Sequence, residues 1–414
     1  MSRIYKTTLK NGLKIITEEM PDIQSASIGI WVSIGSRNED NSKNGISHFI
    51  EHLLFKGTKK RTALDIAQEI ESVGGVLNAF TGRENTCFYA KVLSKDIPLA
   101  VDILSDIFLN STFDEKELEK ERMVVLQEIK LVEDTPDDLI HDIFAKAFWK
   151  GHPLGMPVLG NFQTVKSINR NDVVSYYKQS YMPHALIITA AGNLQHKKLL
   201  KLLKPFEKVP HYQTIRKTSV PVSCPGIVFE QKNLEQVHLC LGTPSPNQAH
   251  PDRYKIYLLN TLLGGGMSSR LFQEIREKRG LAYSVYSYLN LCLDAGSLVI
   301  YAGTAPDTFG KVLKLILKVL YTFLQKEIGK KELLSAKEQL KGSMLLGLET
   351  SESRMTKLAR DEIYFNRIVT LKEITEGIDK VTAKDILNLA KNIFNPQKIT
   401  LAAIGKVKEK DLRF

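Results

Sequence analysis

Residues Gly45–Thr58 read GISHFIEHLLFKGT, a mostly apolar segment with two histidines four residues apart. At 3.6 residues per turn, His48 and His52 lie one above the other on one helix face, so both imidazoles can bind one metal ion. Glu51 lies beside that face, where its carboxylate can act as a general base on a metal-bound water without being a ligand. The order HxxEH reverses the HExxH pattern of zinc-binding helices. Two buried histidines beside a solvated glutamate would give the same letters.

A third ligand is needed, because a hydrolytic zinc site has three protein ligands and keeps one position for water. The segment Glu117–Asp134 has apolar residues at mostly helical spacing and is predicted to be a helix. Glu121 and Glu128 are seven residues apart, so two helical turns bring them onto the same face. We favour Glu128 as the third ligand, although spacing alone favours two ordinary surface glutamates on a charged helix.

Length and composition indicate an ordinary globular protein of at least two domains. The chain has 414 residues, of which 43% are hydrophobic and 25% charged, and its net charge is +11. The lysines are spread over many segments rather than gathered in one basic arm, so we expect solvated surfaces and no nucleic-acid partner.

The cysteines and the apolar runs bear on compartment and membrane association. No CxxC pair occurs, and each cysteine lies in an apolar or strand-like stretch, which predicts reduced core residues. The sequence contains no run of eighteen apolar residues, and its first residues pass directly into a strand pattern around the turn signal Asn11-Gly12. We therefore expect a cytoplasmic protein with no membrane partner. The four cysteines are Cys87, Cys224, Cys240 and Cys292.

The pattern of elements occurs twice along the chain. HLCLGT repeats SIGIWV, DRYKIYLLNTLLGGG takes the position of the HxxEH helix, and two strands follow Gly280 as two strands follow Gly74. The offset, 280 minus 74, is 206 residues, about half the chain, which indicates internal duplication. We expect an α+β fold of two homologous αβ domains, each a mainly antiparallel sheet with helices packed on it. The predicted boundaries are 1–210 for the zinc-binding catalytic domain, 211–225 for a proline-rich linker and 226–414 for a non-metal domain.

The run ERMVVLQEIKLVEDTP, which begins at Glu121, resembles ERxVVxxEIxxxxDxP in the inverzincin family of pitrilysin, insulin-degrading enzyme and the mitochondrial processing peptidase. In that family the glutamate ligand follows HxxEH by some seventy-six residues, and 128 minus 52 is 76. The resemblance covers nearly the whole chain and implies a short, two-domain, bacterial-type member. It implies Zn²⁺ bound by His48, His52 and Glu128, with Glu121 supporting catalysis. Gln127 departs from the pattern, where many relatives carry another glutamate.

The same resemblance implies two substrate-binding regions. The strand near Asn78, Ala79, Phe80 and Thr81 would be an edge strand onto which an extended peptide adds. The alternative is that this segment is simply one more strand of the sheet. In the second half, Arg276 and Tyr283, seven residues apart, match a pattern resembling RxxxGLxY, whose arginine and tyrosine complete the family's site. A phenol can stabilise an oxyanion and a guanidinium can bind a substrate carbonyl or carboxylate.

These features together predict a zinc-dependent endopeptidase in which a zinc-bound water attacks the peptide carbonyl and Glu51 takes the proton. Short family members associate as two chains, so the resemblance implies a homodimer, or a heterodimer with a related subunit, around a chamber for short or unfolded peptides. The alternative is a non-catalytic or partner-dependent subunit of a processing-peptidase-like heterodimer. A basic nucleic-acid-binding protein is a third hypothesis, which rests only on net charge.

Overall fold

The computed structural model describes residues 3–210 and 219–407. Its strands are β1 (Arg3–Thr8), β2 (Lys14–Glu19), β3 (Ser25–Val32), β4 (Val76–Thr81), β5 (Thr86–Leu93), β6 (Leu186–Gly192), β7 (Gly226–Gln231), β8 (Val237–Pro244), β9 (Ala282–Leu291), β10 (Gly296–Thr304) and β11 (Thr400–Gly405). Its α-helices are α1 (Ile46–Leu54), α2 (Ala63–Glu71), α3 (Ile97–Asn110), α4 (Glu115–Asp134), α5 (Pro136–Phe148), α6 (Phe162–Ser167), α7 (Arg170–Ser180), α8 (His196–Leu202), α9 (Arg253–Gly264), α10 (Phe309–Gln325), α11 (Lys330–Gly347), α12 (Ser351–Phe365), α13 (Leu371–Asp379) and α14 (Ala383–Ile393).

The chain forms two compact units that do not follow chain order. The first unit comprises Met1–Lys130, Met156–Thr218 and Gly347–Ile368, and the second comprises the remaining segments. Relative to contiguous halves, α5 is therefore grouped with the second unit and α12 with the first. A helical pattern shows that one face is buried but not which sheet buries it, so no feature of the sequence indicated this exchange.

The first unit is built on a six-stranded sheet in the order β1-β2-β6-β3-β5-β4, with β2 and β6 parallel and the other neighbours antiparallel. The apolar segment SASIGIWV lies inside the sheet, because β3 pairs with both β5 and β6. The main core cluster joins Ile30 of β3 to Phe49 of α1 and Ile103 of α3, all fully or almost fully buried. Burial of a side chain such as Phe49 contributes about 1.5–3 kcal/mol, so apolar packing fixes α1 on the sheet.

The second unit repeats this arrangement, with a five-stranded sheet in the order β7-β11-β8-β10-β9. The edge strand β7 and its neighbour β11 are parallel and the remaining pairs antiparallel, as in the first sheet once β1 is set aside. The order of strands along the chain is also the same in both sheets. The predicted fold class, two homologous αβ domains related by duplication, is confirmed.

The exchanged helices each cover the second face of one sheet, and a glycine in the central strand makes room for each. An added Cβ at Gly29 in β3 would lie 3.0 Å from the sulfur of Met355 in α12. An added Cβ at Gly242 in β8 would lie 2.4 Å from the ring of Phe144 in α5. A larger residue at either glycine would push its helix away from the sheet.

Three further expectations concern loops and boundaries. The hairpin of β1 and β2 is confirmed, but the expected two-residue turn at Asn11-Gly12 is wrong, because Leu9–Leu13 all lie between the paired strands. The side-chain amide of Asn11 donates 2.8 Å to the carbonyl oxygen of Phe206 instead, and this contact favours the longer loop. The predicted linker 211–225 lies partly outside the described residues, and its domain boundaries stay a prediction. No helix in the described ranges is long and apolar enough to cross a membrane.

Candidate metal centre

The helix α1 places both histidines of HxxEH on one side. Its other residues, mainly Ile46, Phe49 and Ile50, are buried in the core, so the helix cannot rotate about its axis without exposing them. The ring centroids of His48 and His52 lie 4.7 Å apart, with the rings at 66°. The predicted shared face of the two imidazoles is therefore present.

Glu128 of α4 completes a cluster with the two histidines. Its Oε2 atom lies 3.7 Å from Nε2 of His48 and 3.6 Å from Nε2 of His52. One ligand atom from each residue lies within 4.8 Å of the other two. Ligand atoms on a tetrahedral zinc with bonds of about 2.0–2.2 Å are roughly 3.3–3.6 Å apart, so the cluster needs only a small contraction to hold the ion.

One donor atom of the cluster, Oε2 of Glu128, also lacks a competing hydrogen-bond partner in the described residues, as expected of an atom that binds a cation. This oxygen is buried. An unpaired buried carboxylate oxygen is costly, and a bound cation would remove that cost. Two imidazoles and a carboxylate are a ligand set typical of hydrolytic zinc. These residues therefore fit a zinc ion.

A second carboxylate orients one of the histidines. Oε2 of Glu121 lies 3.0 Å from Nδ1 of His52, and its other oxygen forms an ion pair with the ammonium group of Lys56 at 2.8 Å. A proton on Nδ1 shared with Glu121 leaves the lone pair of Nε2 free to face Glu128. The structure thus gives different roles to two glutamates that share a helix face. Glu128 faces the Nε2 atoms of both histidines, whereas Glu121 contacts Nδ1 of His52.

His48 is held in its neutral form by its surroundings. Burial, assisted by repulsion from His52, lowers the pKa of His48 to about 3. A neutral imidazole is the form that binds metal ions. Unlike His52, its Nδ1 atom is buried with no hydrogen-bond partner among residues 3–210 and 219–407, so the two histidines are oriented by different means.

Glu51 lies on the flank of the cluster as predicted. Its Oε2 accepts a 2.5 Å hydrogen bond from the hydroxyl of Thr81 at the end of β4. Burial raises the pKa of Glu51, and the hydrogen bond from Thr81 acts in the opposite direction. A carboxylate with a raised pKa that is held in place by a donor suits a general base, because its proton affinity is closer to neutral pH.

The strand predicted to bind substrate is the last strand of the first sheet, where β4 pairs only with β5. The side-chain oxygen of Asn78 accepts 2.8 Å from the backbone N–H of Ala79, so this N–H does not pair with β5. Phe80 is 41% exposed and packs edge-on against Trp31. Thr81 faces α1 and contacts Glu51. The role of these four residues in binding substrate stays a prediction.

Arg276 and Tyr283 lie together in the second unit. The guanidinium of Arg276 is 4.6 Å from the ring centroid of Tyr283, and its Nη1 donates 2.7 Å to the Tyr283 carbonyl oxygen. The ring of Tyr283 is 78% exposed on β9. Arg276 belongs to a short π-helix, Phe272–Glu277. The two residues are in contact with each other, and their proposed contact with substrate stays a prediction.

Two residues near the centre were not foreseen from the sequence. Lys56, the ion-pair partner of Glu121, lies just beyond the end of α1 and is distant in sequence from its partner, so local spacing did not indicate the pair. Glu39 is a buried residue that accepts hydrogen bonds from the first turn of α1. Its loop has no periodic pattern, so nothing in the sequence connected it to the helix.

Comparison with known proteins agrees with this geometry. The family model described as Insulinase (Peptidase family M16) matches residues 14–161, which contain the cluster. The model described as Peptidase M16 inactive domain matches residues 167–340. The first match lies within the first repeat, whereas the second begins at residue 167, before the end of that repeat, and extends to residue 340 of the second.

Relatives and solved structures match the chain over nearly its whole length. An uncharacterized zinc protease of Bacillus subtilis is 40% identical, covering 94% of this chain and 96% of its own. An uncharacterized zinc protease of Mycobacterium leprae is 39% identical, covering 95% of this chain and 89% of its own. A Helicobacter pylori protease has the same fold at 23% identity, with a TM-score of 0.92 over 98% of this chain and 100% of its own. From its sequence and its fold alike, the chain belongs to peptidase family M16.

Proposed function

We propose that the chain is a zinc-dependent endopeptidase that cleaves short or unfolded peptides. The observation that carries this proposal is the convergence of Nε2 of His48, Nε2 of His52 and Oε2 of Glu128, with Glu51 one residue before the second histidine. The names of the relatives, zinc proteases, support zinc as the ion.

The residues of the first unit divide the chemistry among them. His48, His52 and Glu128 would hold the zinc ion, and Glu121 would keep the lone pair of His52 directed at it. When bound, zinc supplies a Lewis acid that lowers the pKa of water from about 16 towards 7. The Glu51 carboxylate takes the proton of the attacking water and then gives it to the leaving amine. The hydroxyl of Thr81 holds one oxygen of Glu51 throughout.

Substrate binding follows from the open edge of β4. An extended peptide can add to such an edge by main-chain hydrogen bonds, which depend little on side-chain identity. Only a chain segment free to become extended can do so, which favours short or unfolded peptides over folded proteins. From the family resemblance we add that Tyr283 donates a hydrogen bond to the carbonyl oxygen as negative charge develops there, and that Arg276 binds a substrate carbonyl or carboxylate.

Two further parts of the proposal concern assembly and location. Family resemblance supports a homodimer, or a heterodimer with a related subunit, whose two chains enclose the peptide. Sedimentation velocity of the purified chain distinguishes the homodimer from the heterodimer. A purified chain that sediments as a dimer supports the homodimer, and one that stays monomeric supports a related subunit as partner. We also propose a cytoplasmic location, which the free thiols of Cys87, Cys224, Cys240 and Cys292 support.

The test is hydrolysis of a quenched fluorescent peptide by the purified chain, with a chelator and zinc added back. We expect cleavage that the chelator stops and zinc restores. Glu51→Gln should bind zinc and peptide without cleaving, whereas the control Glu71→Gln, at an exposed position of α2, should cleave normally. Zinc binding without cleavage would contradict a self-sufficient endopeptidase and favour the partner-dependent subunit. Cleavage unaffected by removal of zinc would overturn the metal-dependent mechanism.

A further inference from the structure

The N-terminus of the metal-site helix α1 is capped from outside the helix. Its N-cap residue, Gly45, has φ +96° and no side chain to accept a hydrogen bond. An added Cβ there would lie 2.6 Å from the carbonyl oxygen of Leu159 and 2.9 Å from the Cα of Gly160. Close approach of two backbones therefore excludes the serine or aspartate that would ordinarily cap a helix at this position.

Glu39, six residues earlier, supplies the missing acceptor. One carboxylate oxygen accepts 2.7 Å from the Gly45 N–H and 3.0 Å from the side-chain amide of Asn44, and the other accepts 2.8 Å from the Ser47 N–H. Glu39 is only 5% exposed. Burial raises the pKa of Glu39, and its hydrogen bonds to Gly45 and Ser47 act in the opposite direction. A negative charge at this end is also favoured by the helix dipole.

The capped turn contains the first histidine. His48 immediately follows Ser47, whose N–H the carboxylate holds, and its Nδ1 has no hydrogen-bond partner in the described residues. His52, in contrast, has Glu121 on its Nδ1. Since no side chain orients the ring of His48, its position depends on the backbone of the first turn and on packing.

We propose that Glu39 is a positioning residue for the metal centre, which fixes the first turn of α1 and thereby the direction of His48. This inference rests on the proposed zinc-dependent function. Among the described residues, the carboxylate of Glu39 accepts hydrogen bonds from Asn44, Gly45 and Ser47, so it acts through the backbone of Gly45 and Ser47. His52 is set by a side chain and His48 by a cap, which makes the affinity for zinc depend on both.

The experiment compares zinc affinity in Glu39→Gln and in a matched cap variant, Asp65→Asn. Glutamine has a single acceptor oxygen, so its amide N–H would face one of the two backbone N–H groups. Asp65 accepts 2.8 Å from the Thr62 N–H and caps α2, a helix of the same unit with no residue in the cluster. Competition with a chromophoric chelator gives the dissociation constant, and the visible spectrum of the cobalt-substituted protein reports ligand geometry.

We expect Glu39→Gln to raise the zinc dissociation constant about tenfold, the low end of the effect of removing a direct contact to a ligand, because Glu39 acts through the backbone. The cobalt spectrum should change as well. Asp65→Asn, which alters the cap of a helix outside the metal cluster, should leave both readouts unchanged. If Glu39→Gln does not fold, Glu39→Asp, which keeps the charge but is one methylene shorter, takes its place. Wild-type affinity and spectrum in a folded Glu39 variant, or equal losses in Asp65→Asn, would overturn the inference while leaving the proposed function intact. Failure of the unaltered chain to bind zinc would overturn both.

Discussion

The hydroxyl of Thr81 lies 2.5 Å from Oε2 of Glu51, so the edge strand β4 and the proposed general base are directly connected. We expect Thr81→Val, which keeps the shape and removes the donor, to lower kcat about tenfold or more, because a hydrogen bond to a charged group contributes about 1.5–3 kcal/mol. KM and zinc affinity should change little. Thr81→Ser keeps the hydroxyl and should recover most of the rate. Peptide hydrolysis with zinc titration measures kcat, KM and zinc affinity, and wild-type turnover in Thr81→Val would contradict the role.

Removal of the Glu121 carboxylate should weaken zinc binding. Glu121→Ala leaves Nδ1 of His52 and the ammonium group of Lys56 without their shared partner. We expect the zinc dissociation constant to rise about 10–100-fold. The control is Glu119→Ala on the same helix, where an exposed glutamate pairs with Arg122 and should be neutral for zinc. Equal zinc affinities in the two variants would show that Glu121 does not orient His52.

The variant Tyr283→Phe tests whether a residue of the second unit contributes to turnover. Tyr283→Phe removes one oxygen from an exposed ring and leaves the contact of the ring with Arg276 available. If the phenol stabilises developing negative charge, turnover should fall about 10–100-fold while zinc binding stays unchanged. Tyr321→Phe, at another exposed tyrosine of the same unit, is the matched control. Full activity in Tyr283→Phe would remove the residue from the mechanism.

Acid should weaken the attachment of the exchanged helix α12. The buried Glu362 carboxylate is 2.7 Å from the ammonium groups of Lys6 and Lys14. Burial alone raises the pKa of Glu362, but the two lysines outweigh it and the pKa is lowered. A carboxyl whose pKa is lower in the folded protein stabilises the fold above its ordinary pKa, and this stabilisation is lost as pH falls through the folded value.

The corresponding variant is Glu362→Gln, followed by thermal unfolding across a pH series. At neutral pH we expect Tm to fall by about 2–4 °C, the shift for about 1 kcal/mol in a domain of 150–250 residues. The variant should also lose less stability than the wild type on acidification, because it lacks the titrating group. Glu349→Gln, at an exposed position of the same segment, should follow the wild type. Parallel pH profiles for Glu362→Gln and the wild type would reject this explanation.

The sequence by itself determined the features that depend on local spacing. His48 and His52 share a face because four residues make about one helical turn, and a short apolar run rich in isoleucine and valine, such as SASIGIWV, favours a buried strand. The repeat offset of 206 residues predicted two homologous domains, and the topologies of the two sheets confirm this. Resemblance to the family supported the choice of Glu128 as the third ligand, and Glu128 lies with the two histidines in the structure.

Only the tertiary structure decided which distant residues meet. Glu121 and Glu128 share a helix face in the sequence pattern. In the structure Glu121 faces Nδ1 of His52 and Glu128 faces the Nε2 atoms, because the two glutamates lie two turns apart along α4 and so reach different atoms of the histidines. The cap by Glu39 and the exchange of α5 and α12 depend on contacts between segments that no local period connects. Periodicity reports that a face is buried, whereas the partner of that face is chosen by the packing of the whole unit.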